Sequence, residues 1–319
     1  MKKKNFLAII LFSLSLHCSN QTTEYFQEQP CSSAITWEPN GGRFGDNLLS
    51  YSRAKWLSYI FNIPLLYLPF KYSDQLMIHE QETIYTPDSL YLFSTIMHLP
   101  IKSKCKLLQD SHTLYISHWK TDITIDWNDK VFVDEIKKNI CPRQEIDKII
   151  IPDACLSIAV HVRNGGGFVV DNEQERERCP LRFVPDEFFI AQIARLADMF
   201  KERNIYVHIF TDHQEPAELM KKFNNALNNP RITFGYRQEG NSYSSNVLED
   251  FFSMMDFDCL IRPGSHFSRF VQRLGNNKVV IYPESVRKTA DGKSVINVIN
   301  IKTRAHVSDR WKTKKVTIL

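Results

Sequence analysis

Ser157-Ile-Ala-Val-His-Val-Arg-Asn-Gly-Gly-Gly-Phe168 is the stretch on which the fold turns. Ile158, Val160 and Val162 alternate with Ala159, His161 and Arg163, which is the period of a β-strand. Gly165, Gly166 and Gly167 then end the strand and free the backbone to approach something closely. In open α/β sheets ligands sit at the carboxyl ends of strands, and Arg163 stands at that end. A guanidinium beside exposed backbone N–H groups suits a diphosphate, because its planar fork meets phosphate oxygens two at a time. Taken alone, the same pattern also describes an ordinary buried strand and a flexible loop, so the flanking sequence has to decide.

Downstream, strand and helix patterns alternate. A charged loop from Asp171 to Arg178 leads to a helix over about Pro185 to Arg203, with Phe189, Ile193, Leu196, Ala197 and Phe200 on one side. Ile205–Thr211 reads as a strand, Pro216 opens a helix at its favoured first position, and Arg231–Phe234 is a short strand. Val247–Met255 reads as a helix, Phe257–Ile261 as a strand, His266–Leu274 as a helix and Lys278–Tyr282 as a strand. Such alternation means a parallel, doubly wound sheet.

Upstream, Asn40-Gly-Gly-Arg-Phe-Gly-Asp-Asn47 precedes Leu48, Leu49, Ala54, Trp56, Leu57, Ile60 and Phe61 at helical spacing. A glycine-rich loop entering a helix is an anion-binding geometry. Asp46 would sit at or near the N-cap, where capping is an alternative to chemistry. Ile63–Leu68 reads as a short buried strand. Between 70 and 150 the runs Leu90–Ile96, Thr113–Ser117 and Lys130–Val133 are compatible with βα units of no assignable order. His79, His98, His112 and His118 read as surface or satisfied histidines.

The 319 residues have room for about two domains. With 43% hydrophobic and 24% charged residues a packed globular protein is expected. The net charge of +4 comes without a concentrated basic stripe in the body of the chain, which argues against nucleic acid as a partner. Arg310-Trp-Lys-Thr-Lys-Lys315 reads as a solvated tail. Lys2, Lys3 and Lys4 before the apolar run Phe6–Leu16 match a secretory leader or an uncleaved anchor, too short for a confident membrane span. The seven cysteines, at 18, 31, 105, 141, 155, 179 and 259, have no metal-ligand spacing. Export would permit disulfides, with Cys155 and Cys259 reading as core residues.

Three stretches line up in order: Gly42-Arg-Phe-Gly-Asp-Asn47, His161-Val-Arg163, and Glu249–Asp256 followed by Arg262-Pro-Gly-Ser-His-Phe-Ser268. This trio resembles the fucosyltransferase superfamily that uses GDP-fucose, which includes the α-1,2-, α-1,6- and protein O-fucosyltransferases. Gly42-Arg-Phe-Gly45 is most similar to the protein O-fucosyltransferase version and Gly264-Ser-His-Phe-Ser268 to the α-1,2 version. The resemblance covers about residues 41 to 282. It implies an α/β, GT-B-like fold of two Rossmann-like domains with a cleft between them. The divisions are then a leader or anchor at 1–20, a linker at 21–36, an acceptor-side domain at 37–155, a sugar-nucleotide domain at 156–290 and a carboxy-terminal extension at 291–319.

The resemblance further implies an inverting transfer of a sugar, fucose from GDP-fucose, to a glycan or protein acceptor, with no metal and no other cofactor. A departing diphosphate gains charge in the transition state, so a fixed cation aimed at it lowers the barrier, and Arg163 is that candidate. Gly42, Arg43, Phe44, Gly45 and Asn47 at the first motif and His161 at the second are the expected binding residues. Asp212 at the end of a strand could meet the ribose or base, and Glu249 and Asp250 could do likewise, although acidic residues are common in a first helical turn. Ser265, His266, Phe267 and Ser268 begin a helix and could hold the phosphates or simply cap it. The chain departs from the family pattern in Asn164-Gly165, where an acid usually follows, and in Asp46, where many relatives carry asparagine. The general base is left open, with Asp46 the first candidate. A nucleotide- or glycan-binding module without catalysis is the alternative. An exported hydrolase fits less well, for want of a metal-ligand cluster. A leader joined to such an enzyme points to the secretory pathway, to a membrane tether or to export.

Overall fold

The chain enters on β1 (Ala34–Trp37) and runs through α1 (Phe44–Phe61), β2 (Leu66–Tyr67), α2 (Ile78–Gln81), β3 (Thr83–Ile84), β4 (Thr95–His98), β5 (Thr113–Ser117) and α3 (Lys130–Asn139). Two short 3-10 turns, Ser73–Gln75 and Pro87–Leu92, punctuate this half. β5 lies between β1 and β4, with both pairings parallel. β2 pairs with β3, and a lone parallel bridge from Leu65 to Ile35 brings that pair beside β1. Residues 34–36, expected as linker, are strand: Ala34, Ile35 and Thr36 are all buried, and a four-residue strand is too short to declare itself by period. This computed structural model describes residues 33–99, 112–165, 178–242, 244–290, 294–304, 307–312 and 316–318. The expected leader at 1–20, Cys18, Cys31, Cys105, Gly166, Gly167, Phe168 and the expected charged loop up to residue 177 lie outside the described residues.

The second half is a single large sheet. β6 (Cys155–Val162) lies between β7 (Asn204–Thr211) and β9 (Cys259–Ile261), with β8 (Ile232–Tyr236) beyond β7 and β10 (Val279–Lys288) beyond β9. All five are parallel. The chain works outward from β6 through β7 to β8, then returns to the other side of β6 for β9 and β10, which is the dinucleotide-fold strand order. The crossovers carry α4 (Asp186–Met199), α5 (Pro216–Leu227), α6 (Val247–Met255) and α7 (His266–Leu274). Pro216 is the first residue of α5, as its missing N–H predicts.

The segment expected as an extension after 290 joins this sheet. β11 (Ser294–Arg304) runs antiparallel to β10, and β12 (Val307–Lys312) and β13 (Val316–Ile318) pair with β11. Arg310–Lys312 of the basic stretch is therefore strand and not tail. The signal was present in Ile296 and Val298, two residues apart and both buried.

The alternation in β6 is read out by two cores. Ile158, Val160 and Val162 face α4 with Phe188, Ile193 and Leu196. Ala159 faces the opposite way, into a core shared with Leu48, Tyr51, Phe251 and Phe270. That second core is continuous with the first half of the chain, and α1 packs directly on α7. Cys141, Cys155, Cys179 and Cys259 are free thiols, so the disulfides that export would permit are not made by these four. Cys259 is buried as expected, whereas Cys155 starts its strand half-exposed. Among the described residues no helix is long and apolar enough to cross a membrane.

Candidate active site

β6 and β9 are neighbours whose following segments run to opposite sides, so the sheet has its topological switch point between them. A crevice outside the carboxyl ends of the strands is expected there. A cavity of about 320 Å³ opens at this place. From the large sheet it receives His161 and Arg163 at the end of β6, Thr211 and Asp212 at the end of β7, Asp250 on α6, and Ser265, His266 and Phe267 at the start of α7. From the first half it receives the loop Gly41–Arg43 and the first turn of α1, Phe44–Asp46, together with Lys71 and Tyr72.

The glycine-rich loop is shaped by its own amides. Asn40 Oδ1 accepts the Gly42 N–H at 2.7 Å, an Asx turn. Its Nδ2 donates to Ser50 Oγ at 2.8 Å and to the Asp46 carbonyl at 3.1 Å. Asn47 Nδ2 donates to the Gly42 carbonyl at 2.8 Å and to that of Arg43 at 3.2 Å. Two glycines are dictated by close approach. A Cβ at Gly42 would lie 2.6 Å from Asp46 Cβ, and one at Gly45 would lie 2.8 Å from Phe267 Cα. Phe44 then inserts between the halves, 5.3 Å from Phe251 and 6.3 Å from Phe267 by ring centroid.

Arg163 leaves β6 with its guanidinium 5.9 Å from the Phe183 ring centroid, and among the described residues its buried Nε has no hydrogen-bond partner. Burial and the neighbouring Arg43 charge hold its pKa below the ordinary arginine value, with Asp212 acting the other way. Arg43 reaches across from the first half. Its Nη2 donates to the Gly165 carbonyl at 2.8 Å, and its Nη1 lies 3.5 Å from Asp212 Oδ2. Asp212 Oδ1 accepts the Asn164 N–H at 2.6 Å. Asp212 thus ties the end of β6 to the glycine-rich loop. His161, its ring 5.6 Å from that of Phe267 and tilted at 52° to it, is pushed down to about 3 by burial and then by Arg163, Arg262 and Arg43, so it is neutral at physiological pH.

Asp46 Oδ1 and His266 Nδ1 meet at 2.7 Å across 220 residues of sequence. Burial raises the Asp46 carboxyl, but the His266 hydrogen bond and charge, with Arg182 and Arg163, outweigh it and leave the pKa below the ordinary value. The N-cap of α1 is Arg43, with no side-chain cap, so the capping role expected of Asp46 is not taken up. Ser265 is the N-cap of α7, again without a side-chain cap bond. α7 therefore directs its positive end at the cavity.

Other expected residues sit elsewhere. Ser268 is fully buried, its hydroxyl unpartnered, and it does not line the cavity: three residues past the cap, it has turned onto the core face of α7. Glu249 lines a different cavity with Asp74, Glu80 and Arg143, because it faces away from its neighbour Asp250 on α6. Asn47 is spent on the loop backbone. Asp250 faces the cavity paired with Arg237 Nε. Arg262 is buried on Gln272 Oε1 at 2.8 Å and over the Tyr282 ring at 4.2 Å. Among residues not anticipated, Asn40 had a legible signal in the Asn-x-Gly spacing of an Asx turn. Arg182, Lys71 and Tyr72 had none; Tyr72 Oη donates to the Ser244 carbonyl at 2.7 Å and closes one rim.

No protein-family model and no curated protein sequence matches the chain. Among solved structures, Arabidopsis thaliana FUT1 in complex with GDP aligns at a TM-score of 0.51 with 15% identity, over 80% of this chain and 71% of that one. NodZ α-1,6-fucosyltransferase co-crystallised with GDP aligns at 0.46 and 15%, over 79% and 95%. The first likeness carries the fold: the chain is α/β with parallel sheets and has a fucosyltransferase-like architecture.

Proposed function

We propose that this chain is a glycosyltransferase that moves fucose from GDP-fucose onto a hydroxyl of a glycan or protein acceptor, with inversion and without a metal. The observation that carries the reading is Arg163. It lies at the switch point with an unpartnered buried Nε, beside the N-terminus of α7. A diphosphate leaving there would meet a bidentate donor and a helix dipole at the moment its charge grows. Two features support the nucleotide sugar: the three ordered motifs and the shared fold. In this reading residues 37–155 form the acceptor side, 156–290 the donor side, and the 320 Å³ cavity is the cleft between two domains. The arginines at 43, 163 and 182 would supply the positive charge that a metal supplies elsewhere, while the cavity carboxylates Asp46, Asp212 and Asp250 are engaged by His266, Arg43 and Arg237. The leader motivates a place in the secretory pathway or at a membrane.

A thermal-shift panel of GDP, UDP and CMP with their sugars, followed by turnover of the stabilising sugar nucleotide, tests this. GDP at 100 times its Kd should add about 2.7 kcal/mol. Stabilisation by UDP alone would end the fucosyl assignment. GDP binding with no turnover of GDP-fucose would favour a binding module. Activity lost to EDTA and restored by manganese would overturn metal independence.

A further inference from the structure

Resting on that transferase reading, we infer that His266 is the general base, with Asp46 as the residue that positions it. The two belong to opposite halves of the chain and meet only because Gly45, lacking a Cβ, lets α1 start against the backbone of Phe267. Both line the cavity that holds Arg163. Among the described residues only Nδ1 of the His266 ring has a hydrogen-bond partner. Asp46 is held ionised, and an ionised carboxylate can only accept, so the proton of the pair is on Nδ1. In the neutral ring, a proton on Nδ1 leaves Nε2 with the lone pair. Asp46 itself is the poorer base, because its Oδ1 is occupied and its carboxyl is kept below the usual range.

The step balances without any further reactant. The acceptor oxygen forms a bond to the anomeric carbon of fucose while the anomeric carbon–oxygen bond to the diphosphate breaks. The bonding pair leaves on the diphosphate oxygen, opposite Arg163. The acceptor hydroxyl proton passes to His266 Nε2, and the resulting imidazolium is stabilised by the Asp46 carboxylate 2.7 Å from its other nitrogen.

The test measures GDP release from GDP-fucose with two nucleophiles: water, which must lose a proton, and azide, which has none to lose. His266→Gln should slow the water reaction by about a hundredfold or more and leave GDP affinity within about twofold. Azide should restore turnover in that variant, so the ratio of azide to water rates rises by about a hundredfold. Asp46→Asn should lose about tenfold in kcat and show a smaller rise in that ratio. Both nucleophiles are compared on one sample, so partial misfolding cancels. An unchanged ratio in His266→Gln overturns the assignment. So does a parallel loss of GDP affinity, which would make His266 a diphosphate ligand. A wild-type protein that binds GDP but releases none from GDP-fucose with either nucleophile would overturn the transferase reading instead.

Discussion

β6 and β7 are 8 residues long and lie side by side in the interior of the large sheet, whereas β2 and β3 of the first half are 2 residues each and β1 is 4. The long strands carry their site residues by their own geometry: once the register of β6 is set, His161 and Arg163 can emerge only at the carboxyl edge. The first half works differently. Its loop Asn40–Asn47 is held in shape by Asn40 and Asn47, but it is aimed by docking on the other half through Phe44, Gly45 and Asp46. One side of the cavity is thus built by a sheet and the other by an interface, and the two should fail in different ways.

The largest effect is expected at the interface. Gly45→Ala forces a methyl against the backbone of Phe267, which cannot swing aside. A loss of about 3 kcal/mol of stability is expected, at the upper end of overpacking, read from the denaturant midpoint. A neutral result would mean that the halves are not locked at this point.

Arg163→Ala should break the sheet-built side without unfolding it. Transfer should fall by about tenfold to a hundredfold, since each 1.36 kcal/mol is a factor of ten. Arg163→Lys should recover little, because an ammonium lacks the fork. Melting temperature and transfer rate measured on the same samples decide the matter: a well-folded Arg163→Ala with near wild-type transfer removes the diphosphate role.

His161 adds a pH signature to the same edge. In the unfolded chain it binds a proton below 6.5, whereas in the folded protein it stays neutral until about 3. Across that window the unfolded state holds more protons, so stability rises with pH and is lost on acidification, at about 1.4 kcal/mol per unit. From pH 7 to pH 5 the loss assigned to His161 is about 2 kcal/mol. In denaturant titrations the stability lost between pH 7 and pH 5 should be greater for wild type than for His161→Gln by about that 2 kcal/mol; equal losses would contradict a buried neutral imidazole.

The smallest effect belongs to the rim. Tyr72→Phe removes the hydroxyl that donates to the Ser244 carbonyl and should cost about 0.5–1 kcal/mol. Its influence should appear first as faster amide exchange around residues 244–247, with the large sheet unaffected.

Sequence alone determined the parallel part of the large sheet, β6 to β10, because period-2 alternation and strand–helix alternation are local; the antiparallel strands after residue 290 were not read. It also determined Arg163, whose place at the end of a strand before glycines follows from the register of that strand. Tertiary structure alone decided the rest of the site. That Ser268 and Glu249 turn away follows from helix phase relative to neighbours absent from any local window. That Asp46 meets His266 depends on a contact across 220 residues, made possible by one missing Cβ at Gly45. β2 was legible as the apolar run Ile63–Leu68, but the order of the short strands was not: a strand of 2 residues has no period to read, and only the bridge from Leu65 to Ile35 and the parallel pairing of β2 with β3 give it a place.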